Sequence, residues 1–373
     1  MRSSSYSNFD FCQMQYFISY VLGIQRETGV KALKGTATHK VLELLAKCKK
    51  EMQNNEGASK FEIYDRELKT YIEWTEEQFL KPYVLTNEEV DEVNRTRINK
   101  QTYKDACAID YGHTRYGVEL VESLVKRVNK YFGDGWAPVD YRDVANWVWM
   151  TLDFGEGDFD PRRRKIIAAE PHFNYAIERE WAKFDWNLPN GKNITGNLGI
   201  KGTIDLITEV APGIIEIVDW KSGQRLNWAS KIDNDIKTYD KLQEDFQLML
   251  YHYAAKRMYP DAKQIMVTIF FIRDGGPFTM CFDDRTLEQT EEKIRKRFNE
   301  ISACVQPTMQ DPTQENFKCK YICDYFKQKG PDGETNLCRH IHDQIVTLGI
   351  DHVTKEYTRK GFNIGHYEAP GEK

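Results

Sequence analysis

Three residues near the middle of the chain combine most readily into a chemical site. In Ile215-Glu-Ile-Val-Asp219-Trp-Lys221 a carboxylate and an ammonium stand two residues apart. On a strand, Asp219 and Lys221 would share one face while Trp220 turns to the other, with the Trp220 carbonyl between them. Asp205, in Lys201-Gly-Thr-Ile-Asp205, adds a second carboxylate if the preceding strand pairs with this one. Oxygen-rich sites of this kind suit hard divalent cations. A cation held there acidifies a water and neutralises charge on a phosphate under attack, while Lys221 orients that water or stabilises the oxyanion. The plain alternative is a surface salt bridge, because Asp and Lys two apart are common on strands.

The elements that would position these residues can be read on either side of them. Residues 6–23 and 35–50 read as helices, the second starting at the Gly35-Thr36 turn and carrying Val41, Leu42, Leu44 and Leu45. Residues 60–145 read as mostly helical, with Leu120, Leu124, Val125 and Val128 at helical spacing over 119–131. Strands follow the basic run Arg162-Arg163-Arg164-Lys165: residues 166–177, interrupted at Pro171, then 200–208 and 214–221. Residues 239–258 read as one helix, 265–272 and 277–282 as a hairpin around Gly275-Gly276, and 288–304 as a further helix. The expected fold class is α/β, a mixed sheet flanked by helices over 166–305. N-terminal helices over 1–50 and a mainly helical insertion over 51–165 precede it, and a cysteine-bearing tail over 306–373 follows.

A chain of 373 residues with 13% aromatic and 29% charged residues has the composition of a folded protein with a sizeable core. The formal net charge of −5 argues against a broadly basic surface. Nucleic-acid contact would then rest on bound cations and local clusters, Arg162 to Lys165 and Lys293-Ile-Arg-Lys-Arg297; the alternative for such runs is a solvated face. No signal peptide or membrane span is expected, which places the chain in the cytoplasm. The eight cysteines then read as thiols or metal ligands rather than a disulfide framework. No G-x-x-x-x-G-K-[ST] loop is present, so any unwinding would come from a partner.

Four short motifs occur in order: Gly35-Thr-Ala-Thr-His39-Lys-Val-Leu-Glu43, Gly202-Thr-Ile-Asp205, Asp219-Trp-Lys221-Ser-Gly223 and Gln247-Leu-Met-Leu-Tyr251. Together they resemble the RecB-like nucleases of the PD-(D/E)XK superfamily, a group that includes AddB-type helicase–nucleases, iron–sulfur nucleases of CRISPR adaptation and many phage exonucleases. The resemblance spans Gly35 to Tyr251 and leaves about 60–165 unexplained. It implies a restriction-endonuclease-like core that binds Mg²⁺ or Mn²⁺ through His39, Asp205, Asp219 and the Trp220 carbonyl, with Lys221 as the catalytic lysine. Gln247 and Tyr251, four apart on one helix face, would touch DNA or the surroundings of that lysine. His39 and Tyr251 also fit ordinary packing roles. Glu170 fits either an edge-strand acid or, as in some relatives, an acid near the metal.

Cys12, Cys319, Cys323 and Cys338 resemble the one early and three late cysteines that hold a 4Fe–4S cluster in the iron–sulfur subclass. The spacing departs from that subclass: three residues separate Cys319 from Cys323, and fourteen more precede Cys338. Zinc, using Cys338-Arg-His340-Ile-His342, and no metal at all are the alternatives. Cys48, Cys107, Cys281 and Cys304 read as incidental thiols. The implied activity is a DNA exonuclease or an end- or flap-processing nuclease in recombination, repair or phage DNA metabolism. Its substrate would be DNA with single-stranded character or a free end, and its protein contact a helicase or recombination partner. A noncatalytic DNA-binding or scaffold protein with a structural cluster is the rival reading.

Overall fold

The computed structural model describes residues 1–24, 30–91, 114–133, 138–187, 191–223, 237–273, 276–310 and 318–359; Cys107 and Gly275 lie outside them. Residues 6–23, expected to form one helix, divide into α1 (Ser3–Phe11), α2 (Gln13–Tyr16) and a π-helical turn, Phe17–Val21. Cys12 therefore sits at a break, with extended backbone (φ −169°, ψ 122°). The next free amide, of Met14, donates to the Thr308 carbonyl at 3.1 Å and ties the break to the segment after the last long helix. The helix α3 (Val30–Asn54) begins before Gly35 rather than at it. Gly35 is no turn signal: a Cβ there would stand 2.5 Å from Ser222 Oγ, so the missing side chain lets α3 approach the residue that follows Lys221.

Residues 60–145 contain strands where helix was expected. β1 (Phe61–Asp65) and β2 (Thr70–Trp74) form a hairpin that buries Phe61, Ile72 and Trp74. After α4 (Glu76–Leu80), β3 (Pro82–Val84) pairs with β4 (Thr114–Tyr116). The signal was the alternation of Phe61 with Ile63 and of Ile72 with Trp74, a period of two. The helix expected over 119–131 is present as α5 (Val118–Phe132), which buries Val121, Leu124, Val125 and Val128, and α6 (Pro138–Leu152) follows.

The strands of the second half are β5 (Lys165–Ala169), β6 (His172–Ala176), β7 (Lys183–Asn187), β8 (Asn193–Asn197), β9 (Gly199–Thr203), β10 (Leu206–Ala211) and β11 (Ile214–Lys221). The predicted interruption at Pro171 is observed. The single strand expected over 200–208 is two, because β9 pairs with β6 while β10 pairs with β5 and β11. Both breaks fall at one level, where Glu170 N–H donates to the Asp205 carbonyl (2.9 Å) and Ile204 N–H to the Pro171 carbonyl (3.1 Å).

The helix expected over 239–258 is also split, into α7 (Tyr239–Gln243) and α8 (Phe246–Met258). Asp245 caps the second by accepting from Gln247 N–H. β12 (Gln264–Phe271) and β13 (Gly276–Cys281) form the expected hairpin, and α9 (Asp284–Ser302) starts one turn early behind its Asp283 cap. The main sheet has the order β13-β12-β11-β10-β5. Only β11 and β12 run parallel, and α7 and α8 supply the crossover that parallel strands require.

Alternation along these strands covers both faces. Leu206, Val218, Trp220 and Phe270 pack under α3, α5 and α6, whereas Ile207, Ile217, Ile269 and Phe271 pack under α8 and α9. Gly202 belongs to this fit, since a Cβ there would meet the Phe173 ring at 2.6 Å. The C-terminal segment is no free appendage. α10 (Asp324–Lys327), α11 (Leu337–Leu348) and α12 (Ile350–Arg359) share one apolar cluster with the N-terminal helices, through Met14, Phe17, Ile18, Tyr325, Ile341 and Val353.

Each basic run is partly tied into this framework, while Arg163, Lys165, Arg295 and Lys296 stay exposed. Arg162 is buried, paired with Asp160 at 2.7 Å and donating to the Tyr116 carbonyl. Arg164 pairs with Glu216 and lies 4.5 Å over the Phe159 ring, and Lys165 pairs with Glu209. Lys293 donates to the Glu244 carbonyl (2.9 Å), and buried Arg297 pairs with Asp10. Charge in the sequence was visible; the partners distant in sequence were not. Among the described residues no helix is long and apolar enough to cross a membrane.

Candidate active site

The site forms where β10 ends and β11 continues. Pairing of the two strands stops at Leu206 and Val218, so the Trp220 N–H has no strand partner there. The Asp205 carboxylate takes that place, accepting from Trp220 N–H at 2.8 Å. On the opposite face of β11, Lys221 Nζ lies 2.7 Å from Asp219 Oδ2, as alternation along a strand predicts. Trp220 turns into the core under α3. Its ring meets the His39 ring edge-on at 6.2 Å, and His39 Nδ1 lies 3.4 Å from Asp205 Oδ2. Motifs separated by more than 160 residues are thus drawn to one strand end.

α8 closes the other side. Gln247 Nε2 donates to Asp219 Oδ1 (3.1 Å) and to the Tyr251 hydroxyl (2.8 Å). Gln247 therefore orients the carboxylate, while Tyr251 buttresses Gln247 from the core, edge-on to Phe173. Tyr251 is only 5% exposed and packs among core residues. Asp219 Oδ2 is buried and faces the Lys221 ammonium at 2.7 Å. Two buried carboxylates beside an imidazole are donor types that suit a hard divalent cation, although among the described residues they are not gathered into a ready-made cation site.

The charges are strongly interdependent. Burial raises the Asp219 carboxyl above its ordinary range; Lys221 opposes that shift and Asp205 reinforces it. Burial acts the same way on Asp205, but His39, Lys221 and the Trp220 N–H outweigh it and hold that carboxyl below the usual value. His39 and Lys221 are both raised, because the adjacent carboxylates overcome the effect of burial. Lys221 is consequently a cation at neutral pH, a donor rather than a base.

Two further carboxylates lie beside the site. Glu43, on the His39 helix, is 2% exposed and is held by Lys40 and Lys47. Burial and the nearby Glu43 and Asp205 push Glu170 up to about 7. Glu43 was visible as the end of the first motif, four residues from His39, but nothing in the sequence gave it a partner.

Cys12, Cys319, Cys323 and Cys338 are all buried, none more than 8% exposed. Burial raises the Cys338 thiol, and Cys12, Cys323 and Cys319 add to the shift, so the chain ends bring the four sulfurs within electrostatic reach. Among the described residues, no three His, Cys, Asp or Glu side chains form a ready-made metal-binding group. His340 and His342 do not turn to these thiols. His340 engages Asp332 (3.2 Å) and Gln344 (3.1 Å), and His342 engages Asp343 (3.4 Å). Cys48 is buried and Cys281 exposed.

A profile of the PD-(D/E)XK nuclease superfamily matches residues 3–327. The chain belongs to that superfamily, whose members are typically nucleases that use Mg²⁺ or Mn²⁺. Comparison with curated proteins finds no match.

The raised Asp219 pKa has a consequence for stability. The folded state binds that proton more tightly than the unfolded chain, so the contribution is favourable below the ordinary carboxylate pKa and is lost as pH rises through the raised one. Above that raised value, without divalent cation, the ionised side chain is therefore a net cost. Asp219→Asn keeps the shape and removes the charge. It should raise the metal-free unfolding midpoint at pH 7 and lose that advantage in acid, while abolishing cleavage. Parallel thermal melts at both pH values check this.

Proposed function

We propose that this chain is a divalent-metal-dependent deoxyribonuclease of the RecB-like kind, acting as an exonuclease or an end- or flap-processing enzyme. The observation that carries the reading is the meeting of Asp205, Asp219 and Lys221 at one strand end, with His39 against Asp205. His39, Asp205, Asp219 and the Trp220 carbonyl would hold Mg²⁺ or Mn²⁺, which when bound polarises the phosphate and acidifies a water. Lys221, charged and next to Asp219, orients that water and stabilises the extra negative charge at phosphorus. Water adds to phosphorus, the bond to the leaving oxygen breaks, and that oxygen is protonated. Gln247 donates to Asp219 Oδ1 and so fixes the direction of Oδ2. The recessed carboxylates, with the Asp219 side chain 1% exposed, support a substrate with single-stranded character or a free end. A helicase or recombination partner would supply such ends.

Digestion of linear and circular DNA, single- and double-stranded, with Mg²⁺ or Mn²⁺ tests this reading. Cleavage should require the cation and favour free ends. Lys221→Ala should lower the rate by about 10²–10³, the usual effect of losing one group that stabilises developing charge. DNA binding without cleavage under any of these conditions would instead favour a noncatalytic scaffold.

We also propose that Cys12, Cys319, Cys323 and Cys338 hold a 4Fe–4S cluster that joins the chain ends. Support comes from their shared burial beside one apolar cluster. Four thiolates would be needed, and burial raises the Cys319, Cys323 and Cys338 thiols, so assembly must expel their protons. Anaerobically purified protein should be brown and contain iron and sulfide, and replacing any of the four by Ser should bleach it while Cys48→Ser should not. Colourless protein with stoichiometric zinc would move the assignment to a zinc site, and metal-free protein would remove it.

A further inference from the structure

Lys293 and Arg297 stand four apart and share one face of α9, and both serve the start of α8. Lys293 does so directly, donating to the Glu244 carbonyl (2.9 Å) one residue before the Asp245 cap. Arg297 does so through α1. Its buried guanidinium lies 4.2 Å over the Tyr6 ring and 5.0 Å over the Phe9 ring, donates to the Tyr6 carbonyl at 3.1 Å and pairs with Asp10. All of these partners are on α1, so one arginine fixes that helix along α9 and holds Tyr6 by both backbone and ring.

The same Tyr6 ring stacks on Phe246, with centroids 3.8 Å apart and planes 15° from parallel. Phe246 is buried and is the first residue of α8, so the stack bears on the first turn of that helix. Stacked aromatic pairs contribute beyond the area they bury and restrict the relative orientation of the rings. Gln247 follows immediately. The Asp245 carboxylate accepts from its N–H (2.9 Å), and its side chain donates to Asp219 Oδ1 (3.1 Å). The orientation of this one turn therefore decides whether Gln247 meets Asp219.

We propose that Tyr6, held by Arg297, is a positioning residue: by stacking on Phe246 it fixes the first turn of α8 and keeps Gln247 on the Asp219 carboxylate. The effect on cleavage rests on the proposed nuclease reading, whereas the coupling of Tyr6 to α8 does not. Tyr6→Ala removes the stack and Tyr6→Phe retains it. Phe9→Ala removes the other ring beneath Arg297, one that meets Tyr16 edge-on at 5.3 Å within the N-terminal segment, and serves as the structural control. Tyr6→Leu, which keeps apolar bulk without a flat face, replaces the alanine variant if that variant is too unstable to purify.

The readouts are amide hydrogen exchange over residues 245–250 of the metal-free full-length protein, and kcat and KM for cleavage of a linear single-stranded DNA with Mn²⁺. Tyr6→Ala should lose protection over 245–250 and lower kcat by roughly tenfold, the scale of losing a group that orients a ligand, with KM unchanged. Tyr6→Phe should keep both protection and kcat. In a Gln247→Ala background Tyr6→Ala should lower kcat no further, because residues acting through one contact are not additive. Phe9→Ala should lower the unfolding midpoint and leave 245–250 and kcat as in wild type. The proposal is overturned if Tyr6→Ala keeps wild-type protection or kcat, or if Tyr6→Phe fails as badly. It is equally overturned if Phe9→Ala lowers kcat as much, or if the Tyr6 and Gln247 losses add. Wild-type protein that cuts no DNA would remove the nuclease reading and the positioning role with it, while lost protection in Tyr6→Ala would still support the coupling of Tyr6 to α8.

Discussion

Two carboxylates of the same sign, Asp205 and Asp219, are buried together at the end of β11. Like charges a few ångströms apart in a protein interior repel strongly, and burial itself penalises each. Lys221 and His39 offset part of this, one on each side of the strand. Their different positions hold the Asp205 carboxyl below its ordinary range and leave the Asp219 carboxyl above it. The features around the pair hold it in place despite that repulsion.

The hydrophobic layers do most of the holding. The alternation that sends Val218 and Trp220 to one face and Ile217 and Asp219 to the other buries β11 on both sides, so the strand cannot slip by one residue without exposing a core face. Close approach then brings the remaining groups in. Gly35 lets α3 reach Ser222, and Asp205 replaces a strand partner for Trp220 N–H. Lys40 and Lys47 bind Glu43 and Asp65, which fixes the β1–β2 hairpin to the His39 helix. A buried pair of this kind is costly to break one partner at a time, so the helix has little freedom to withdraw.

How far this was legible in the sequence depended on the range of the interaction. The span of β11, the shared face of Asp219 and Lys221, and the amphipathic α5 follow from periodicity alone, and the structure bears them out. The four motifs led to the correct superfamily. Much of what was missed required partners distant in sequence. The strand over 200–208 looked continuous because Ile200, Ile204 and Ile207 are all apolar, yet they serve two sheets with Asp205 at the junction. Helix breaks at Cys12 and Asp245 come from packing and capping, not from a Pro or Gly. Of the partners of the Arg162 run, Asp160 stands two residues away and was readable, whereas Glu216 and Glu209 lie on other strands. The β1–β2 hairpin was hidden by its short length and by the helical segments around it.

If a divalent cation balances the buried carboxylate pair, as proposed, the unfolding midpoint of the protein depends on Mn²⁺ concentration. A cation that binds only the folded state stabilises it by about 2.7 kcal/mol at a hundred times its Kd. The midpoint of the wild-type protein should climb steadily with Mn²⁺ at neutral pH, and that climb should vanish in the Asp205→Asn, Asp219→Asn double variant. A wild-type midpoint indifferent to Mn²⁺, or an equal climb in the double variant, would contradict the account.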